Sequence, residues 1–425
     1  MKKNVLVFPC GSEIGLEINR ALACSIHFEV YGANSVDDHG KFVYKNYIEE
    51  LLSMDDINFV DEINQIISDY QIDFIIPAHD SAVTRLADEQ HRINAVVVTS
   101  DAETCRLCRS KGDTYKLFEG LIPTPTLYEI DKLTEFPVFL KPDVGQGTKG
   151  TYRVDSNEDA QFYFKNDPTI LALEFLPGKE YTIDCFTNKE GELLFAEGRV
   201  RNRILNGISV NSTHVRNRQF QRLAEIINKT LKFRGVWFFQ VKERKDGEMV
   251  LMEISPRIAG TMALFRASGV NFALLSLFDR MGHAVSVLKN DIDVEVDRAL
   301  FSRFTIAIEY EYVYVDFDDT IIFENCVNIG LIRFLYQARN QDKKIILITK
   351  HIYNIKETLD KYAISPLLFQ EIICLPKTAK KTEHMVNKNA IFIDDSFDER
   401  KEVMDRLGIP SFGLDAVEAL LCWRA

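Results

Sequence analysis

Near the end of the chain three short apolar runs each stop at a polar residue: Tyr312 to Asp316, Lys344 to Thr349, and Ala390 to Asp394 with Asp395 behind it. Runs of this length read as buried strands. In a parallel sheet, strands that end this way bring their terminal side chains together at the carboxyl edge. Asp316, Thr349, Asp394 and Asp395 are therefore expected to converge. Carboxylates crowded so closely need a cation, which points to Mg²⁺.

A second set of polar residues lies upstream. Phe136 to Pro142 reads as a strand with Lys141 buried at its end, followed by Asp143 to Gly150. The glycines Gly145, Gly147 and Gly150 let backbone N–H groups approach phosphates, and Thr148 and Lys149 add a donor and a charge. Taken alone, such a loop is more often a plain hairpin turn. Leu173 to Asp184 follows as an apolar hinge bracketed by carboxylates, then Gly235 to Gln240, then Met252 to Arg257. In a strand Glu253 and Ser255 share a face. Oxygen ligands there suit Mg²⁺, which takes one or two carboxylates plus nucleotide phosphates, and Arg257 is placed to reach a phosphoryl oxygen. Arg199, Arg201 and Arg203 alternate along another expected strand. They read either as a cationic face for an anionic substrate or as a solvated basic face.

The remainder sets limits. At 425 residues the chain is long enough for several compact units. A net charge of −12, from 51 basic and 63 acidic residues, argues against a general nucleic-acid or anionic-membrane binder. The N-terminal apolar run is too short for a signal peptide, and nothing approaches the length of a membrane span. The eight cysteines sit among apolar neighbours, as in reduced cytoplasmic proteins. Cys105 and Cys108 have CxxC spacing without a second pair, and read as helix-packing thiols. From residue 1 to about 100, strands at 4–8, 28–31, 73–77 and 95–99 alternate with helices at 14–24 and 59–70. This alternation predicts a small parallel sheet with helices on both faces. Gly11 and Gly15 match only part of a dinucleotide-binding fingerprint, and Asp80 follows a strand end, where open sheets place ligands.

With these motifs in hand, residues 1 to about 300 resemble ATP-grasp enzymes of the carbamoyl-phosphate-synthase-like or carboxylate–amine ligase branch. The resemblance implies ATP and Mg²⁺ as cofactors. It gives Lys141 to the nucleotide phosphate and adenine edge, and Gly147, Thr148, Lys149 and Gly150 to a loop closing over the phosphates. Glu174 and Leu176 fall at the adenine hinge, Glu180 at the ribose, and Gln240 and Glu253 at Mg²⁺. Arg257 becomes the stabiliser of the transferred phosphoryl group. Ser255 stands where the family has Asn; its hydroxyl is able to ligate Mg²⁺ or hold a bound water.

The last region resembles haloacid-dehalogenase-like (HAD) phosphatases. That resemblance implies Asp316 as nucleophile, Asp318 as acid and base, Thr349 as phosphoryl ligand, and Lys381, with Lys377 as its rival, as the charge-offsetting lysine. Asp316, Asp318, Asp394 and Asp395 form the expected Mg²⁺ set. The short spacings from Thr320 to Thr349 and from Thr349 to Lys381 leave no room for a cap.

The combined expectation is an α/β chain in three parts. A Rossmann-like pre-ATP-grasp domain covers 1–105, an ATP-grasp domain 106–305, and a capless HAD-like Rossmannoid domain 311–425. The expected activity is ATP-dependent, ADP-forming ligation of a small-molecule carboxylate to an amine, with or without a phosphate on the amine. Phosphomonoester hydrolysis would act on that amine or on the product. The alternative is a HAD phosphatase regulated by a non-catalytic ATP-binding module.

Overall fold

The computed structural model describes residues 2–49, 53–145, 147, 149–205, 207–302, 304 and 306–422. Thr148, one of the anticipated phosphate donors, lies outside the described residues. The chain forms two compact units, Met1–Leu300 and Phe301–Ala425.

The first unit opens with a five-stranded parallel sheet in the order Asn46–Ile48, Phe28–Ala33, Lys3–Phe8, Ile72–Pro77, Val96–Val97. The helix Phe59–Tyr70 buries Phe59, Ile63, Ile66 and Ile67, the one-face spacing its sequence implies. The helix Glu13–Leu22 is capped by Ser12, whose hydroxyl accepts a hydrogen bond from the Gly15 N–H. A Cβ at Gly15 would lie 2.3 Å from the Cys10 carbonyl oxygen, so the glycine serves close packing of this helix on the preceding strand end. Cys105 and Cys108 are both buried free thiols on the helix Ala102–Arg109.

Two antiparallel sheets follow. One has four strands in the order Leu127–Tyr128, Ile170–Glu174, Val138–Pro142, Tyr152–Val154. The other has six, in the order Met249–Ser255, Gly235–Glu243, Glu180–Thr187, Leu193–Leu205, Ile208–Val215, Glu295–Asp297. On the six-stranded sheet Ile183, Cys185, Trp237 and Phe239 enter one core with Phe220 and Ile227 of the helix Arg218–Thr230. The period of two sends the intervening residues to the opposite face. There Glu253 pairs with Gln240, Gln240 with Thr182, and Thr182 with Arg199, so four polar side chains line up across four strands.

The three alternating arginines do not present one cationic face. The ladder shifts between Arg201 and Arg203, and each guanidinium has a carboxylate of its own. Arg199 pairs with Asp184, Arg201 with Glu180, and Arg203 with Asp297. The Arg199–Asp184 pair is fully buried and forked, with Nε–Oδ2 at 2.8 Å and Nη2–Oδ1 at 3.2 Å. Breaking such a pair strands a charge in the interior. Asp184→Asn is expected to lower unfolding free energy by ~3–5 kcal/mol in denaturant titration.

The second unit holds a five-stranded parallel sheet in the order Glu371–Cys374, Lys344–Thr349, Tyr312–Val315, Ala390–Ile393, Ser411–Phe412. Val313 and Val315 enter the core on one face, with Leu331 and Leu335 of the helix Ile329–Asn340, and Tyr314 enters the core on the other. The three polar-ended runs thus occupy the three central strands. Between Thr320 and the strand Lys344–Thr349 lie only the hairpin Ile322–Phe323/Cys326–Val327 and that helix. No single helix among the described residues is long and apolar enough to cross a membrane.

Candidate active sites

In the first unit a cavity of about 450 Å³ opens over the polar row of the six-stranded sheet. Lys141, Gly147, Lys149, Gln240, Glu253 and Arg257 all line it, as do Glu180 and Ser255. Glu174 and Leu176 do not. Leu176 is buried, and Glu174 is clamped by Arg244 through Nε–Oε1 at 2.8 Å and Nη2–Oε2 at 2.9 Å.

Lys141 ends its strand beneath the cavity, where Nζ donates to the Met252 carbonyl at 3.2 Å. Burial pushes its ammonium down to about 7, an effect that Glu253 partly offsets and Lys111 reinforces. Lys111 lines the same cavity, and burial lowers it too. Glu253 faces these cations and Arg257 yet forms no ion pair among the described residues, so its carboxylate is open to a further cation. Gln240 and Glu253 are hard oxygen donors directly opposite one another. With two buried amines beside them, they fit a Mg²⁺–nucleotide group.

Asp80, the first residue of the helix Asp80–Asp88, ties the parallel sheet to this site. Its Oδ1 accepts from Ser255 Oγ at 2.8 Å and from Arg257 Nε at 2.7 Å, and its Oδ2 from Arg257 Nη2 at 2.7 Å. Burial disfavours its charge, but Arg257 and Ser255 more than compensate and hold the carboxyl well below the usual range. The Ser255 hydroxyl, expected at a metal, is thus committed to Asp80, and Arg257 is oriented by the same carboxylate. Arg257 also lies over the Phe238 ring at 5.1 Å. Sequence reading missed Lys111 and Arg109, the latter donating to the Gly145 carbonyl at 2.9 Å and so holding the start of the glycine loop. Both sit near a helix junction without any motif around them.

In the second unit Asp316, Asp394 and Asp395 offer carboxylate oxygens within 4.8 Å of one another. Lys381 is buried between two of them, its Nζ 2.5 Å from Asp316 Oδ1 and 2.6 Å from Asp394 Oδ2. Burial raises the Asp316 carboxyl to about 7 and raises Asp394 as well, against the pull of Lys381. Burial works against the Lys381 charge too, but the two carboxylates outweigh it and the ammonium is raised. Thr320 donates to Asp395 Oδ1 at 3.1 Å, and Thr349 is fully buried at its strand end, accepting from the His351 N–H at 3.2 Å. Hard oxygen donors around a buried cluster fit Mg²⁺.

Asp318, expected among the metal residues, is not brought into this cluster. Its carboxylate is half-exposed and turns to His351, with Nδ1–Oδ1 at 2.8 Å and Nδ1–Oδ2 at 3.1 Å. The His351 Nε2 meets Thr358 Oγ1 at 2.9 Å, which fixes the ring. Nothing in the sequence around His351 signalled this partnership. Lys381 rather than Lys377 is the lysine at the sheet edge, at the start of the turn Lys381–Glu383.

Comparison with known proteins agrees with the first unit. Residues 166–298 match the family described as "ATP-grasp in the biosynthetic pathway with Ter operon". The chain is 26% identical over 170 residues to a D-alanine–D-alanine ligase of Petrotoga mobilis, covering 38% of this chain and 54% of that enzyme. It is 25% identical over 281 residues to a carbamoyl-phosphate synthase of Methanobrevibacter smithii, covering 56% of this chain and 76% of that protein. Among solved structures, an L-amino acid ligase from Bacillus licheniformis superposes with a TM-score of 0.53 at 16% identity, over 65% of this chain and 73% of that one. The biotin carboxylase domain of Hydrogenobacter thermophilus 2-oxoglutarate carboxylase, solved with MgADP, ADP and bicarbonate, gives 0.57 at 14% identity, over 68% and 72%. The first unit thus carries an ATP-grasp fold.

Proposed function

We propose that the chain is a bifunctional enzyme, an ATP- and Mg²⁺-dependent carboxylate–amine ligase joined to a Mg²⁺-dependent phosphomonoester hydrolase. The observation that carries the ligase reading is Glu253, without an ion pair among the described residues, opposite Gln240, with Lys141 and Arg257 in the same cavity. ATP bound with Mg²⁺ supplies the phosphoryl group that turns a carboxylate into an acyl phosphate, which an amine then attacks. Gln240 and Glu253 would hold the metal, Lys141 the phosphates, and Arg257, steadied by Asp80, the phosphoryl oxygens.

In the hydrolase, Asp316 attacks phosphorus and Lys381 balances the negative charge at the sheet edge. Asp318 protonates the leaving oxygen and then takes a proton from water. His351 keeps that half-exposed carboxylate in one orientation. Purified protein is expected to convert ATP to ADP only with a matching carboxylate and amine, and to release phosphate from a phosphomonoester without ATP. Neither activity across a broad substrate panel would count against the reading.

One observation favours a second reading. Ser255 and Arg257 both bind Asp80, an arrangement also suited to a nucleotide-binding module that regulates the phosphatase without turning ATP over. Nucleotide binding without ADP formation in any carboxylate–amine pair would select it.

Lys141 makes nucleotide binding pH-dependent. In the unfolded chain a lysine titrates near ~10.4, and here burial brings it to about 7. Between those values the unfolded state binds more protons, so this group makes stability of the unliganded protein rise with pH. A phosphate placed beside Lys141 favours the ammonium. Nucleotide binding at about pH 8.5 is therefore expected to take up close to one proton, an uptake absent in Lys141→Met. Calorimetry in two buffers of different ionisation enthalpy measures it.

A further inference from the structure

One end of the ligase cavity carries two opposite charges that do not satisfy each other. Glu13, the first residue of the helix Glu13–Leu22, and Arg298, directly after the strand Glu295–Asp297, both line it. They approach the same point from different elements. A Cβ on Gly260 would lie 2.8 Å from Glu13 Cγ and 3.0 Å from Arg298 Nη1. Even so, they form no ion pair with each other or with any other described residue. Among the described residues Glu13 makes no side-chain hydrogen bond, and the guanidinium of Arg298 reaches only the Ser209 carbonyl, at 3.4 Å.

The neighbouring arginines behave differently, since Arg199, Arg201 and Arg257 are each held by a carboxylate. Burial lowers the basicity of Arg298, Glu13 and the more distant Glu17 only partly restore it, and Arg20 and Arg199 depress it further. Its guanidinium thus lacks a full counter-charge. A third unfilled group lines the same cavity: the Thr182 hydroxyl, 1% exposed, has no hydrogen-bond partner among the described residues. A buried polar atom left unpaired is costly unless a ligand completes it.

A carboxylate and a guanidinium close together but unpaired match a ligand with an ammonium and a carboxylate on adjacent atoms. We propose that Glu13 and Arg298 form the binding site for an α-amino acid, the amine substrate of the ligase, with Arg298 on its carboxylate and Glu13 on its ammonium. The inference rests on the ligase reading of this cavity. Glu13 and Arg257 line the same cavity, so the ammonium end of the amino acid faces the phosphoryl-transfer residues while Arg298 anchors the carboxylate that is not consumed. In the reaction the ammonium gives one proton to Glu13, and the freed amine nitrogen forms a C–N bond to the acyl carbon. The acyl C–O bond to phosphate breaks, phosphate leaves with that electron pair, and it takes the second proton that the nitrogen sheds on becoming an amide. Gly260 keeps the approach clear, because a side chain there would push the Glu13 and Arg298 side chains from these positions.

The test is calorimetric binding of the proteinogenic α-amino acids and of O-phosphorylated serine, threonine and tyrosine, one at a time, to the full chain with Mg²⁺ and a non-hydrolysable ATP analogue. At least one is expected to bind, and its α-carboxamide at least ~30-fold more weakly. Arg298→Met is expected to lose the same factor for the amino acid, Arg298→Lys to recover part of it, and both to keep nucleotide affinity. Glu13→Gln is expected to weaken the amino acid but not its deaminated acid. Equal binding of acid and carboxamide overturns the proposal, as does nucleotide binding with no amino acid bound. Failure to bind the nucleotide analogue would instead remove the ligase reading, and an amino acid bound under those conditions would leave the site standing alone.

Discussion

Glu253→Gln is expected to reduce ATP turnover by at least ~10³-fold while leaving phosphomonoester hydrolysis unchanged. The argument rests on charge rather than shape. Glutamine fills the same volume on the strand Met249–Ser255 and preserves the pairing with Gln240. What it removes is a carboxylate that acts on Lys141, Lys111 and Arg257 without an ion pair to any of them. Such a group is available to a metal ion carrying nucleotide phosphates, and a neutral amide binds Mg²⁺ far less well. The remaining cations would still attract nucleotide, so binding should weaken less than turnover. Steady-state ADP release beside a binding isotherm separates the two. A variant with wild-type turnover would exclude Glu253 from the reacting site.

Asp316→Asn is expected to lower phosphomonoester hydrolysis by at least ~10⁴-fold, since an amide oxygen cannot replace the attacking carboxylate. Asp316 lies 6% exposed at the end of a central strand, with Lys381 already at 2.5 Å. The substitution leaves Lys381 paired with Asp394, so the buried ammonium is not abandoned. Folding should therefore survive, and the lost rate can be assigned to chemistry. Hydrolysis of p-nitrophenyl phosphate with each protein measures the effect. Activity retained within a few-fold would remove Asp316 from the nucleophile's role.

Sequence patterning revealed the strands and missed the partners. The runs at 4–8, 28–31 and 73–77 are strands because continuous apolar stretches bury on both faces of a parallel sheet. The strand Asn46–Ile48 has only three residues and no such stretch. Lys141, Gln240, Glu253 and Arg257 meet in one cavity as their motifs implied. The arginine run stayed ambiguous because alternation on a strand fixes which face a residue takes, not whether an acid waits beside it. Asp184 and Glu180 stand on the adjacent strand Glu180–Thr187 and neutralise two of the three arginines. The Asp80–Arg257 bond joins residues 177 positions apart, a distance over which local pattern carries no signal. His351 escaped for the same reason, because its contact with Asp318 depends on how two loops meet at the sheet edge.

The most direct test of two activities in one chain is product analysis with ATP, Mg²⁺ and pooled carboxylates and phosphorylated amines, using wild type beside Asp316→Asn. Released ADP and the mass of the products are read together. The account predicts ADP and a new amide with both proteins, the amide keeping its phosphate only with Asp316→Asn. ADP formed with no amide, or an amide that loses its phosphate equally with both proteins, would contradict it.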